Sequence, residues 1–293
     1  MNFIHKYRFI FSLLVIIAAC GKSPNTPDYQ QEVAVFGFLW GNKPMTADRA
    51  IMLAYTQPID KAYYFSQAAI QNANVTITDV QVGKIYLLKE SEKPGFYFND
   101  SLVPQPKKEY VLNIEVDDKI VTANTTLPPV LGIQTNLNAD KIESVYHDDL
   151  SKNNPIFLDF ENDEQILLVD VYCNESWETA EYISPFWGQD KPDESGNYGG
   201  SDGNSEPRHI IATAKFKDLL SFTTYPGKYV IDWYSSMIVF FGSNTMQVMA
   251  IDDNYYNFIN INEYPELQSG VNGGIGVFGS ACGETFQLYV LKP

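Results

Sequence analysis

The chain has 293 residues and a formal net charge of −16, with 14% aromatic, 19% charged and 45% hydrophobic side chains. So acidic a surface repels phosphodiester backbones and anionic headgroups, which excludes nucleic acid as a partner. The apolar content is enough for one large or two ordinary domains and is far from that of a disordered chain.

At the start, His5, Lys6 and Arg8 precede an uncharged apolar run from Phe9 to Ala19. Residues 1–19 therefore read as a secretory signal, too short for a membrane-spanning helix. The run ends Ile17-Ala18-Ala19-Cys20 and is similar to a bacterial lipobox. That likeness implies cleavage before Cys20, diacylation of its thiol and acylation of the new amine. Each buried lipid methylene contributes about 0.8 kcal/mol, so several acyl chains make a durable anchor. Cleavage takes away Lys6 and Arg8 and no acid, so the charge of −16 becomes −18 over the remaining 274 residues. No later segment approaches the roughly 20 apolar residues of a spanning helix, so the expectation is a protein held on a membrane. Residues 20–31 are polar with two prolines and read as a flexible tether.

From residue 32 to residue 127, short alternating segments recur between turn signals: EVAVFGFLW, RAIMLAY, ANVTITDV, GKIYLLKE, PGFYFND, EYVLNIEVDD and KIVTANTTL. Each has strand length, β-branched or aromatic enrichment, and Gly, Pro, Asn or Asp at its borders. Asp117-Asp118 between two such segments suggests a tight hairpin. About seven strands in a hundred residues predict an immunoglobulin-like or transthyretin-like sandwich. Pro128-Pro129 cannot continue a ladder, so the domain boundary is placed there.

Residues 128–293 resume with IFLDFEN, EQILLVDVYCN, HIIATAKFKD, GKYVIDWYSSMIVFF, TMQVMAID and TFQLYVL, all strand-like. One helix stands out: Asp252 or Asp253 caps it, Tyr255, Phe258, Ile259 and Asn262 follow at helical spacing, and Pro265 stops it. The fold class expected is all-β, two sandwich domains, the second with one short helix. Residues 188–207, GQDKPDESGNYGGSDGNSEP, hold no aliphatic side chain and read as a solvated acidic loop. Cys173 and Cys282 either form a disulfide or are two buried thiols, and the sequence leaves both open.

The lipobox at Cys20, the opening strand VAVFGFLW, the exit TTLPP, and GGIGVFGSA after an aromatic helix YYNFINI together resemble the bacterial lipoproteins of domain-of-unknown-function family 4249. The family's tract GxGxFGA is met by Gly274, Gly276, Phe278 and Gly279, with Ser280 in place of the usual alanine. The resemblance implies an outer-membrane lipoprotein, often encoded beside TonB-dependent receptors, and offers no catalytic residue and no cofactor to carry over. Gly21 lacks the aspartate associated with inner-membrane retention, which by analogy favours the outer membrane.

The same tract spaces Gly274, Gly276 and Gly279 as G-x-G-x-x-G. A dinucleotide fold needs that motif after the first strand of a βαβ unit, and a kinase needs a lysine strand and catalytic loop downstream. Here a strand and the chain end follow, so no nucleotide is expected, and the glycines are assigned to a bulge or a close backbone approach at a sheet corner. Ser280 and Cys282 lie in GSACG, without the first glycine of a nucleophile elbow. His147 and His209 carry no motif, so a hydrolase would need one of them beside a nucleophile and a carboxylate. Asp202, Asn204 and Glu206 alternate like calcium ligands, but Pro207 stands where the loop needs glycine, so no metal is expected. Trp177, Tyr182, Phe186 and Trp187 are either a core cluster or a surface that stacks on sugars or anchors a partner. The function expected is a non-catalytic, lipid-anchored accessory or binding protein, partnering a TonB-dependent receptor, with a carbohydrate-binding or adhesive module as the alternative.

Overall fold

A computed structural model describes residues 29–176, 180–181, 183, 209–219, 229–260 and 270–293. The alternation seen in the sequence becomes strand faces at once. In β1 (Val33–Trp40), Val33, Val35 and Leu39 are buried, while Phe36, Phe38 and Trp40 lie on the opposite face. The remaining strands of the first lobe are β2 (Ile51–Tyr55), β3 (Asn74–Asp79), β4 (Lys84–Leu87), β5 (Lys89–Glu90), β6 (Phe96–Phe98), β7 (Glu109–Val116) and β8 (Lys119–Thr126). Val116 pairs with Lys119 across a two-residue turn in which Asp117 takes φ +50°. Tyr29 docks here as well, hydrogen-bonding to the Thr56 hydroxyl at 2.8 Å.

The second half supplies β9 (Gly132–Gln134), β10 (Ile142–Tyr146), β11 (Ile156–Asp159), β12 (Ile166–Cys173), β13 (His209–Lys215), β14 (Tyr229–Ile231), β15 (Gly242–Ile251), β16 (Val271–Asn272) and β17 (Ile275–Leu291). One nine-stranded sheet runs β13-β12-β15-β17-β1-β2-β6-β5, with β10 added beside β17. A five-stranded sheet, β16-β8-β7-β3-β4, faces one end of it, and a three-stranded sheet, β14-β11-β9, faces the other. The first core lies between β1, β2, β6 and the five-stranded sheet, and holds Leu53, Tyr97, Ile77, Leu112 and Val121. The second lies between β12, β15 and the three-stranded sheet, and holds Val169, Val248, Ile231 and Leu158. The protein is thus all-β, two β-sandwiches with a short helix in the second half.

The division after residue 127 marks where the chain leaves the first core, but it does not separate two self-contained units. The seventeen-residue β17 contributes Phe278 and Cys282 to the first core and Phe286, Leu288 and Val290 to the second. Residues 32–127 alone therefore leave the first sandwich without β16 and β17. The glycine tract makes a close backbone approach within a strand pair. It lies at and within the start of β17, where residues 275–281 pair in parallel with β1, and not at a corner. Gly276 takes φ +108°, and a Cβ there would sit 2.0 Å from the Val35 carbonyl oxygen. At Gly274 the same atom would meet the Val33 carbonyl at 2.5 Å. The glycines are what let β1 lie against this strand.

The run Tyr229–Phe241 is not one strand. It breaks at Asp232 into a 3-10 turn, Trp233–Met237, which carries Tyr234 into the second core. Its hydroxyl donates there to the carbonyls of Leu150 and Asn154, so burial leaves no polar group unmet. The helix Asp253–Ile259 is capped by Asp252, whose carboxylate accepts from the Tyr255 N–H at 3.0 Å. It ends at Asn260, and Asn262 and Pro265 lie outside the described residues.

Candidate functional site

Among the described residues, concavities form around the outward face of the large sheet. The helix Asp253–Ile259 covers one end of that face, packing Tyr255, Tyr256 and Ile259 onto Ile166, Leu168, Met249, Ile251 and Ala281. Tyr255 also packs on Phe38 with the rings tilted by 32° and centroids 4.1 Å apart, and a Cβ on Gly279 would press on Tyr255 at 3.1 Å. Beyond the helix the face is open.

There the register sets side chains from three strands in rows. Asp170, Gln247 and Thr285 form one row, and Tyr172, Thr245 and Gln287 the next. The loop between β1 and β2 forms the bank, with Trp40 at its base and Lys43, Asp48 and Arg49 along its rim. Tyr172, Gln247, Thr285 and Gln287 of these rows, with Trp40, Lys43, Asp48 and Arg49, line a cleft of about 400 Å³, within the size range of small-molecule sites, and Asp170 and Thr245 lie outside that lining. Trp40, Tyr172, Gln247, Thr285 and Gln287 are all half-buried.

The charged rim residues are occupied with one another. Lys43 lies 3.7 Å from Glu284, and Arg49 lies 3.9 Å from Asp48 while donating to the Pro44 carbonyl at 3.2 Å. The floor is neutral, and much of it is unsatisfied. Thr245 donates to the Gln287 carbonyl oxygen at 2.9 Å, which leaves the Gln287 amide N–H groups to the cleft. Among the described residues, the Gln247 amide, the Thr285 and Tyr172 hydroxyls and the Trp40 indole N–H have no hydrogen-bond partner.

A second concavity, about 330 Å³, sits where the two lobes meet, lined by Thr125, Pro128, Gln165, Asp252 and Asn254. Its polar groups satisfy each other. Asp252 accepts from Thr125 at 2.5 Å and from the Ser280 N–H at 3.0 Å, and the Thr125 and Ser280 hydroxyls are 2.8 Å apart. Gln165 accepts from the N–H groups of Glu161 and Asn162. Burial pushes the Asp252 carboxyl up to about 6, against hydrogen bonds from Thr125, Ser280 and Tyr255 that pull the other way. This junction serves the fold, whereas the cleft has polar groups to spare.

The residues singled out in the sequence fall elsewhere. Cys20, Trp177, Tyr182, Phe186, Trp187 and the loop 188–207 lie outside the described residues. Cys173 and Cys282 are two separate buried thiols and not a disulfide. Cys173 pairs with Asn244 and Cys282 with Ala250, six residues further along β15. At about 3.3 Å per residue that is roughly 20 Å, far beyond the reach of a disulfide. Burial pushes the Cys282 thiol up to about 11. Ser280 is fully buried and donates to the Thr126 carbonyl at 3.2 Å. His147 hydrogen-bonds to the Ser235 carbonyl at 3.1 Å, and His209 meets the Asp170 carboxylate at 2.6 Å on the edge of the open face. Among the described residues no group of three or more His, Cys, Asp or Glu is arranged to hold a metal.

The sequence reading missed the cleft. Its local signal is present, since Gln247 and Gln287 stand between apolar neighbours in MQV and FQL, but their meeting depends on β15 and β17 being neighbours.

No helix among the described residues is long and apolar enough to cross a membrane. No curated protein matches the chain. One solved structure to which it is similar, the FN1–FN3 domains of chicken CNTN1, shares 9% identity at a TM-score of 0.17, over 88% of this chain and 69% of that one. A family model described as a domain of unknown function, DUF4249, matches residues 24–285, most of the chain, and the chain belongs to that family.

Proposed function

We propose that the protein is a non-catalytic binding protein, held on the outer membrane by acyl chains on Cys20 and working beside a TonB-dependent receptor in nutrient uptake. The observation that carries the binding role is the open cleft, whose floor presents partnerless neutral donors and acceptors. These groups are half-buried and open to water, so a ligand that meets them exchanges hydration for direct hydrogen bonds, each worth a net of about 0.5–1.5 kcal/mol. The non-catalytic reading is supported by the state of the two nucleophiles that the sequence offered: Ser280 is locked in the junction, and Cys282 is buried with a raised pKa. The anchor and the receptor rest on the lipobox and the family resemblance.

Affinity copurification from outer membranes in mild detergent tests the partnership. Recovery of a TonB-dependent receptor with the wild-type protein is the expected result, and repeated recovery of none would remove the partner. A Cys20→Ala variant should shift from the membrane pellet to the soluble fraction, and an unchanged distribution would remove the lipid anchor.

A further inference from the structure

We infer that the cleft over β12, β15 and β17 takes a neutral polyhydroxylated ligand, a sugar or short oligosaccharide. The inference rests on the binding-protein reading above and adds the chemistry of the ligand.

Its basis is the division of polarity between rim and floor. Lys43 and Arg49 stand beside Glu284 and Asp48, two charges of each sign, so these rim residues together offer a phosphate or carboxylate no net positive charge. An apolar ligand would bury the Gln247 amide, the Thr285 hydroxyl and the Gln287 N–H groups without partners, which is unfavourable. A peptide bound as an added strand needs a sheet edge, but β12, β15 and β17 are interior strands whose backbone groups are already paired on the floor. What remains is a neutral molecule that both donates and accepts at closely spaced points. A primary amide does both, a hydroxyl does both, and the Trp40 indole and Tyr172 phenol add flat apolar surface with a polar tip. Sugars present that combination, hydroxyls around the ring edge and C–H groups on its faces.

Titration calorimetry tests this on the full-length lipoprotein in a detergent without a sugar headgroup, since a glycoside detergent would compete. The ligands are neutral mono- to tetrasaccharides of glucose, galactose, mannose and N-acetylglucosamine, with amino acids and dipeptides as the comparison set. The expected result is saturable binding of at least one saccharide, weakened about tenfold or more by Gln247→Ala and by Thr285→Ala, each the loss of one or two hydrogen bonds. Both side chains are half-buried, so melting temperatures close to wild type are expected, and Gln247→Glu offers an isosteric second variant. Saccharide binding indifferent to all three substitutions would overturn the site. Binding of peptides but no saccharide, sensitive to Gln247→Ala, would overturn the ligand class while the binding-protein reading stood. No binding across the panel, with a receptor still copurifying, would overturn the inference and leave the accessory role in place.

Discussion

At Gly276 and Asp252, single residues decide how two pieces of backbone meet. Gly276 carries two constraints, a φ of +108° and the Val35 carbonyl where a Cβ would be. Gly276→Val should therefore cost about 3 kcal/mol or more, by backbone strain and by separating β1 from β17. Gly83 supplies the control, because it takes φ +67° with nothing within 4 Å of the added atom. Gly83→Ala should cost only about 1–2 kcal/mol. Urea titrations compare them, and equal losses would show that the collision with Val35 is not what makes Gly276 necessary. Asp252 makes a different kind of prediction. Its carboxyl is raised from 3.8 to about 6 in the fold, so between those values the folded state holds more protons than the unfolded chain. Stability then falls as pH rises through that window and is level above it, a change on the order of 2–3 kcal/mol from this group. Asp252→Asn keeps an oxygen for the Ser280 and Tyr255 N–H groups and should flatten the slope between pH 4 and pH 6. A slope unchanged in that variant would assign the titration to another group.

At the level of elements, the strands of the first lobe were legible because each carries its own period-two pattern and its own turn residues. The Asp117-Asp118 hairpin was legible for the same reason. The parallel pairing of β1 with β17 was not, since Phe36 and Val277 are about 240 residues apart and nothing local in either strand names the other. The cleft shares that opacity: Gln247 and Thr285 can be read as polar interruptions, but only strand order makes them neighbours. The Tyr229–Phe241 run failed for another reason. Its apolar residues fit a strand pattern, yet Tyr234 needs an acceptor to bury its hydroxyl, and the 3-10 turn brings its one proton between the Leu150 and Asn154 carbonyls. Tyr234→Phe should accordingly cost about 1–2 kcal/mol, the penalty of leaving the Leu150 and Asn154 carbonyls without that donor. A melting temperature equal to wild type would mean that water or a local shift replaces it.

For the whole molecule, the long shared strand sets the cooperativity. Two sandwiches joined only by the chain at residues 127–128 would melt separately, as linked domains do. Here β17 threads both cores, placing Phe278 and Cys282 in one and Phe286, Leu288 and Val290 in the other, and the Thr125–Asp252–Ser280 hydrogen bonds tie the junction between them. Losing either core releases one half of the strand and strips β1 or β15 of its partner. The expected result is a single calorimetric transition, with van't Hoff and calorimetric enthalpies in agreement. Phe278→Ala and Leu288→Ala remove apolar contacts from opposite cores and should each cost about 3–5 kcal/mol. Each should move that one transition downward by several degrees. If instead each substitution shifted a different one of two resolved transitions, the shared strand would be a contact between independent domains, and the rigid platform under the cleft would be lost as an explanation of how the floor is held.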